Sequence, residues 1–383
     1  MKLIPALPRI SGMAYQDEFY ARAESVYLLI GGQFFLVERM GALKSRRWLV
    51  LTSIGIVLFA AYLAYTNPFQ VLMEVGRFDP WAFALALAIN YAGMFFFAAS
   101  WYVLLRVLGV GVGLWEAVRA MFVSLFVVWL IPIPVGTEII RAYLVRDEEN
   151  SGMGKAITSV VVHKAYYNIS FGLLIALASL MVTVFWKGPM PVSPGFVALV
   201  ILFAVGSSVI YALFLSPTTL MAVYGRSPAW LKRNLFDRLV DTSRDEEGFP
   251  SVVRGIEDAV EMLRRRPLEN FLSILMVAFH WSTGSVTAYI VALSLGWRID
   301  FWVIVLVYAL IEFIQQLNVF IPGGLGIIDA SLTGAFVILG VPLSMASAIS
   351  LLTRLATYWL ELVLAAAVSF LYGYQEAIGE FLG

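Results

Sequence analysis

Cysteine is missing altogether from the 383 residues, and histidine occurs only twice. The first absence removes disulfides, thiolate metal sites and a cysteine nucleophile. His163 and His280 stand too far apart in sequence to offer a zinc-binding spacing, so no metal and no cofactor is expected. Charge is also scarce: 14% of the residues are Asp, Glu, Lys or Arg, with 26 of each sign, against 61% hydrophobic. Such a balance excludes an ordinary soluble domain. No compact apolar segment precedes a small-residue cleavage site within residues 1–43, so no cleavable signal peptide is expected. Long apolar runs are abundant, within 47–66, 80–105, 156–186, 195–215, 268–295 and 344–373. Runs of roughly 20 apolar residues cross a ~30 Å hydrocarbon core as helices. A closed barrel would show short alternating strands instead. The expected fold is an all-α polytopic membrane protein.

Charge between the runs gives a topology. Lys44, Arg46 and Arg47 set the start of the first span in the cytoplasm, and Arg106 returns the second span there. The loop 216–267 carries Arg226, Lys232, Arg233, Arg238, Arg244, Arg254 and the run Arg264-Arg265-Arg266, the strongest positive-inside signal in the chain. Both termini come out cytoplasmic, in a multi-pass protein of the cell membrane. The parts are a cytoplasmic segment 1–45 with an amphipathic helix at 20–40, a leading span and first membrane repeat at 46–190, a connector and basic loop at 191–267, and a second repeat at 268–383. Val252, Ile256, Val260 and Leu263 recur at helical spacing among charges. That helix either lies on an anionic leaflet or packs on the bundle as a solvated loop helix.

The two repeats echo one another. Ile131-Pro132-Ile133-Pro134-Val135-Gly136 is matched 190 residues later by Ile321-Pro322-Gly323-Gly324-Leu325-Gly326. Lys164 and Arg354 keep the same offset, and Leu108-Gly109 resembles Leu295-Gly296. The charge count runs 80–105 inward and 268–295 outward, so the repeats are expected to be inverted, each with a re-entrant helical hairpin. Proline and glycine break the helices at Pro132, Pro134 and Gly136, and again at Pro322, Gly323, Gly324 and Gly326. A broken helix in hydrocarbon must be buried in protein or line a wet cavity. The alternative is a plain hairpin whose tip reaches the far interface; the apolar character of both turns favours re-entry. Helix N-termini after the tips would present free N–H groups suited to phosphate or carboxylate.

Glu138 and Arg141 follow the first tip on one helical face. Asp329 follows the second, with Glu312, Gln315, Gln316 and Asn318 leading into it. Lys164 and Arg354 lie well inside their spans, where an ionisable group costs ~2.5–3.5 kcal/mol on insertion scales and faces a partner or water. Glu138, Arg141, Lys164, Asp329 and Arg354 are therefore the candidate substrate-binding residues of a polar cavity. The rival reading is internal ion pairs, such as Glu138 with Lys164 or Asp329 with Arg354, that only lock helices together. Gly323-Gly324-Leu325-Gly326 is not a phosphate-binding Walker loop, since no Gly-Lys-Ser/Thr follows. Asn168-Ile169-Ser170 fits a glycosylation sequon inside a span, where no glycan could be attached.

These stretches, Ile-Pro-x-Pro-x-Gly-x-Glu138-x-x-Arg141 and Ile-Pro-Gly-Gly-Leu-Gly-x-x-Asp329-Ala330 followed by Leu339-Gly340-Val341-Pro342 and Arg354, resemble the transmembrane domain of lysylphosphatidylglycerol synthases over about residues 45–375. Pro134 stands where many members of that family carry a small residue, and Asp329 where they often carry Glu. The chain stops at Gly383 without the soluble aminoacyl-transfer domain, so the resemblance implies no lipid lysylation. It implies a lipid translocator of flippase or scramblase type, not an enzyme, that moves a phosphate-bearing lipid between leaflets. The expected partners are anionic or polyprenyl-phosphate lipids, with a homo-oligomer possible and no nucleic acid. The alternatives are a lipid-binding accessory protein for a glycosyltransferase and a secondary transporter of a small anion.

Overall fold

The computed structural model describes residues 41–130, 140–141, 144–145, 153–188, 193–232, 249–317 and 321–372, a few positions (among them 41–49 and 128–130) by backbone alone. Every regular element among them is helical. Four stretches are long and apolar enough to cross a bilayer: Pro80–Val107, Thr158–Phe185, Pro267–Ser294 and Leu343–Leu371. These four coincide with runs identified in the sequence. Helices α1 (Gly41–Tyr65) and α2 (Pro68–Val75) make a fifth if counted as one broken span. They meet at 81°. The elbow is Asn67, at φ 58°, with Pro68 opening α2 and the Asn67 side chain accepting from the Gln70 N–H. Asparagine tolerates this left-handed conformation, and proline suits a first helical position.

Helices α3 (Pro80–Val107) and α4 (Leu114–Leu130) are followed by α5 (Met153–Phe185). Next come α6 (Pro194–Phe214), α7 (Pro217–Arg226) and α8 (Phe249–Arg264). The run expected to span at 195–215 is thus helical, though its described apolar stretch, Pro194–Ile210, is short for a crossing. The helix around 252–263 packs on the bundle. Phe249, Val253, Ala259 and Leu263 of α8 are buried, and Ala259 and Leu263 join the core formed by α3, α4 and α5.

The second half opens as the first does. It contains α9 (Pro267–Ser294), α10 (Phe301–Leu317), a 3-10 turn at Pro322–Gly324, α11 (Ile327–Ile338) and α12 (Leu343–Arg354). A π-helical turn at Leu355–Trp359 leads into α13 (Leu360–Leu371). Pro80 and Pro267 open α3 and α9, Val107 and Ser294 close them, and the following turns are alike. Gly109 (φ 71°) donates to Arg106 O and Val110 to Leu105 O; Gly296 (φ 78°) donates to Leu293 O and Trp297 to Ala292 O. Such left-handed glycines end helices by satisfying the last carbonyls.

Helices α3 and α9 lie antiparallel along their length. Thr287 Oγ1 donates to Ala86 O at 3.3 Å near one end, and Ser273 Oγ donates to Ser100 O at 3.0 Å near the other. Between them Gly93 faces Thr283 so closely that a Cβ would stand 2.3 Å from its Oγ1. Small residues allow this approach where lipid supplies no hydrophobic drive between helices. Two buried cores flank the pair. One gathers α9 to α12 with Phe171, Ile175, Ala178 and Val182 of α5. The other gathers the C-terminal half of α3, α4 and the start of α5 with Ala365 of α13. The last helix of each half thus packs on the other half, as in the ring contact of Phe126 with Phe370 at 5.8 Å.

Candidate functional site

The helical path breaks between α10 and α11. Ile321 is extended, Pro322 begins the 3-10 turn, and Gly323 and Gly326 take φ of 58° and 78°. Both glycines are also sterically required. A Cβ on Gly323 would overlap the Tyr358 hydroxyl, and one on Gly326 would lie 2.6 Å from the Phe59 backbone nitrogen of α1. The leading helix α1 therefore rests directly on the break, with Gly55 against Ile321 and Leu325 and with Tyr62 Oη bonded to Thr333 Oγ1 at 2.9 Å.

Asp329, in the first turn of α11, is fully buried. Its Oδ2 accepts the Gly326 N–H at 3.0 Å, and its Oδ1 accepts from Arg354 Nε at 3.4 Å. Arg354 ends α12 and is 4% exposed. Its Nη2 donates to Gly323 O at 2.6 Å, and its guanidinium lies 4.3 Å from the centre of the Tyr358 ring. Ser350 Oγ closes the group by donating to Asp329 O at 3.0 Å. One carboxylate and one guanidinium thus tie both sides of the broken tip to α12. The N-terminus of α11 differs from the expected open anion site, because the short Asp329 side chain reaches back and takes the Gly326 N–H for itself.

Arg354 is followed at once by the π-helical turn. A π turn inserts one residue into the helical ladder and is found mostly at functional sites. The carbonyl of Ala356, within this turn, accepts from Asn90 Nδ2 of α3 at 3.1 Å. The same Asn90 nitrogen donates to Glu361 Oε1. Glu361 is 4% exposed, a second carboxylate deep in the same span. Across from it on α10, Glu312 accepts a hydrogen bond from Tyr308 and lies within electrostatic reach of Arg354 and Glu361. Glu361 and Asn90 were not among the sequence candidates. Glu361 could have been found, since it follows Arg354 by seven residues and so shares its helical face with Tyr358. Asn90 had no local signal.

In the first half, Arg141 is 2% exposed. Its Nη1 lies 3.0 Å from His163 Nδ1 and 3.5 Å from Met121 Sδ, and its guanidinium stands over the Trp101 ring. His163 Nε2 meets Ser100 Oγ at 2.7 Å, so a polar chain runs from Arg141 across α5 to α3. Lys164 places its ammonium 4.5 Å from the centre of the Tyr167 ring. The structure therefore unites Asp329 with Arg354 and gathers Arg141, His163 and Lys164 into a second cationic group. His163, read from sequence only as a failed zinc ligand, is the hub of that group. Glu138, Asn318 and the tip residues Pro132, Pro134 and Gly136 lie outside the described residues. Among the described residues no group of three or more His, Asp or Glu side chains could hold a metal ion.

Residues 50–365, which contain every group named above, match the family described as the lysylphosphatidylglycerol synthase TM region. A UPF0104 membrane protein of Pyrococcus horikoshii is 23% identical over 327 residues, covering 82% of this chain and 94% of that protein. UPF0104 membrane proteins of Methanothermobacter thermautotrophicus are similar too. One is 21% identical over 340 residues, covering 87% of this chain and 95% of its own length. Another is 28% identical over 111 residues, covering 28% of this chain and 33% of its own length.

Proposed function

This chain belongs to the lysylphosphatidylglycerol synthase TM region family, and on that footing we propose that it is a lipid translocator, not an enzyme, which moves a phosphate-bearing lipid between the leaflets of the cell membrane. Family membership fits a lipid-related role in the membrane. The observation that carries the finer reading is the buried Asp329–Arg354 pair at a broken helix tip. A buried ion pair held by packing alone is often no more stabilising than apolar residues of the same size, so its presence beside a helix break points to use. Arg354 holds Gly323 O and Asp329; a lipid phosphate competes for the same guanidinium, and releasing Gly323 O frees the tip to move. Acyl or isoprenoid tails stay in the bilayer meanwhile.

Translocation between leaflets favours a scaffold that looks alike from both sides, and the helix register supports an inverted repeat with a two-fold axis in the membrane plane. Pro80 and Pro267 mark an offset of 187 residues. Under it Ala86 corresponds to Ser273 and Ser100 to Thr287. The contacting residue pairs Thr287/Ala86 and Ser273/Ser100 are therefore exchanged by one and the same operation, with α9 supplying the donor in both. The reciprocal packing of α13 on α4 and of α5 on α10 obeys it as well. This reading has two hairpins entering from opposite faces and, from the charge pattern of the sequence, both termini in the cytoplasm.

Because the natural chain has no cysteine, the orientation can be read with single substitutions. Gly111 and Arg298, both exposed and 187 residues apart, serve as equivalent positions in the two interhelical turns. In intact cells, Arg298→Cys is expected to react with a membrane-impermeant maleimide and Gly111→Cys only after permeabilisation. Labelling of both from one side would overturn the inverted arrangement. The function is tested by reconstitution into vesicles with head-labelled anionic, zwitterionic and polyprenyl-phosphate lipids. The expected result is transbilayer movement above protein-free vesicles for at least one phosphate-bearing lipid. Movement at the protein-free rate throughout the panel would refute translocation.

A further inference from the structure

Four charged side chains meet where α10, α11 and the last span come together: Asp329, Arg354, Glu312 and Glu361. Three are carboxylates and one is a guanidinium. Asp329 and Arg354 are bonded to one another and almost entirely buried. That leaves Glu312 and Glu361 within electrostatic reach of each other, while among the described residues of the elements packed around them Arg106 of α3 is exposed and Lys164 of α5 stands over the Tyr167 ring. The groups directed at Glu361 are Asn90 and Tyr91 from α3, Glu312 and Tyr308 from α10, and Arg354 from its own span. Asp329 stands behind Arg354, and Tyr358 lies over the guanidinium. The remaining cation of α4 that touches this span, Arg119, sits on the ring of Tyr372 at the far end of α13. His280 of α9 is stacked on Phe97 in the first-half group.

Buried charge of one sign without a counter-charge is not sustained; the group is neutralised by a proton or a bound cation. The chemistry present favours the proton. Glu361 has one oxygen occupied by the Asn90 amide, and the neighbouring hydroxyls belong to tyrosines that can donate or accept. A metal cation would ask for a fuller cage of oxygens than this pair offers. We infer that the buried carboxyls of Glu312 and Glu361 hold one exchangeable proton as a pair and that its release is what loosens the Asp329–Arg354 clasp. This rests on the translocation reading for its purpose, though not for its existence.

The path of the effect can be followed residue by residue. Glu361 follows Arg354 by seven residues, with the π turn between them, and lies within electrostatic reach of its guanidinium. Asn90 holds both the carboxyl of Glu361 and the Ala356 carbonyl of that turn. When the pair is protonated, Arg354 is left to Asp329 and Gly323 O, and the tip stays closed. When the proton leaves, the pair gains a negative charge within reach of the same guanidinium. Glu361 then competes with Asp329 for Arg354, the bond to Gly323 O weakens, and the tip is released. Glu312 is partly exposed where Glu361 is sealed, so the proton enters and leaves by way of Glu312. No bond other than O–H is made or broken.

The test is infrared difference spectroscopy on the purified full-length protein in lipid nanodiscs, stepped from acidic to alkaline pH. The wild type is expected to show a protonated-carboxyl C=O band that disappears on alkalinisation and shifts with [13C]glutamate labelling. Glu361→Gln is expected to lose this band, Glu361→Asp to keep it with a smaller isotope shift, and Glu269→Gln, at the exposed start of α9, to leave it unchanged. In vesicles, an imposed pH gradient is expected to change lipid movement by the wild type several-fold and to leave Glu361→Gln unaffected. Absence of a titrating band in the wild type at every pH overturns the inference, whether or not lipid moves. A band that responds to sodium at constant pH overturns it in favour of a bound cation. A titrating band in a protein that moves no lipid upholds the proton site and removes the translocation reading instead.

Discussion

Arg354→Ala is expected to abolish lipid movement in reconstituted vesicles and to lower stability sharply. Removing the guanidinium leaves Asp329 charged in a site with no exposure, and breaking one side of a buried pair costs about 3–5 kcal/mol. The tip also loses its tie through Gly323 O. Arg354→Lys should keep part of the activity, since the charge survives while the two-pronged reach to Asp329 Oδ1 and Gly323 O does not. Stability and activity are separated by the double substitution Asp329→Leu with Arg354→Met. Replacing a whole buried pair by apolar residues is often neutral or stabilising. The double variant is therefore expected to recover most of the melting temperature lost by Arg354→Ala and none of the transport. Recovery of both would make the pair a helix lock and nothing more.

Gly326→Ala should be the most damaging change of a single methyl in the described chain. The residue has φ 78° and ψ −39°, and backbone held in such a sparsely populated region costs a side chain about 1–3 kcal/mol. The added carbon would also stand 2.6 Å from Phe59 N and 2.7 Å from Leu58 C, both backbone atoms that no rotamer change can move. Helix α1 must then lift off the tip, pulling Gly55 from Ile321 and Leu325. The expected outcome is a large fall in melting temperature in detergent together with loss of lipid movement. Gly334→Ala, where a Cβ would meet nothing within 4 Å, provides the comparison and should be close to silent.

Much of this arrangement was legible in the chain. Arg354 and Asp329 declared themselves because each interrupts an apolar stretch, where hydration is absent and a charge needs a partner. The break at Pro322–Gly326 was legible for the same reason that it exists: a proline beside glycines cannot continue a helix. The turn at Leu295-Gly296 matched that at Leu108-Gly109 because helix endings depend on local backbone chemistry. Other features were closed to such reading. The contact of Asn90 with Glu361 spans 271 residues and depends on how α3 meets the last span, which no local pattern encodes. The capping of Gly326 by Asp329 was missed because a carboxylate three residues into a helix serves equally as a cap or as a ligand for something else. The elbow at Asn67-Pro68 was written in an Asn-Pro pair, a turn signal, but the pair does not say that a second helix follows at 81°.

The reciprocal placement of the last helices bears on how the protein is made. Chains emerge from the ribosome N-terminus first at roughly 5–20 residues per second, and domains usually close as they appear. Here the core around α4 has no complete wall until α13 arrives, because Ala365 and Phe370 belong to its packing and are among the final residues described. For most of synthesis α4 therefore sits in the membrane with an unfilled flank, while α5 waits for α10. Neither half can be finished before the other has been inserted, so assembly is a single late event, and a nascent chain halted after α12 would present an apolar groove on α4 to whatever membrane helix stands nearby.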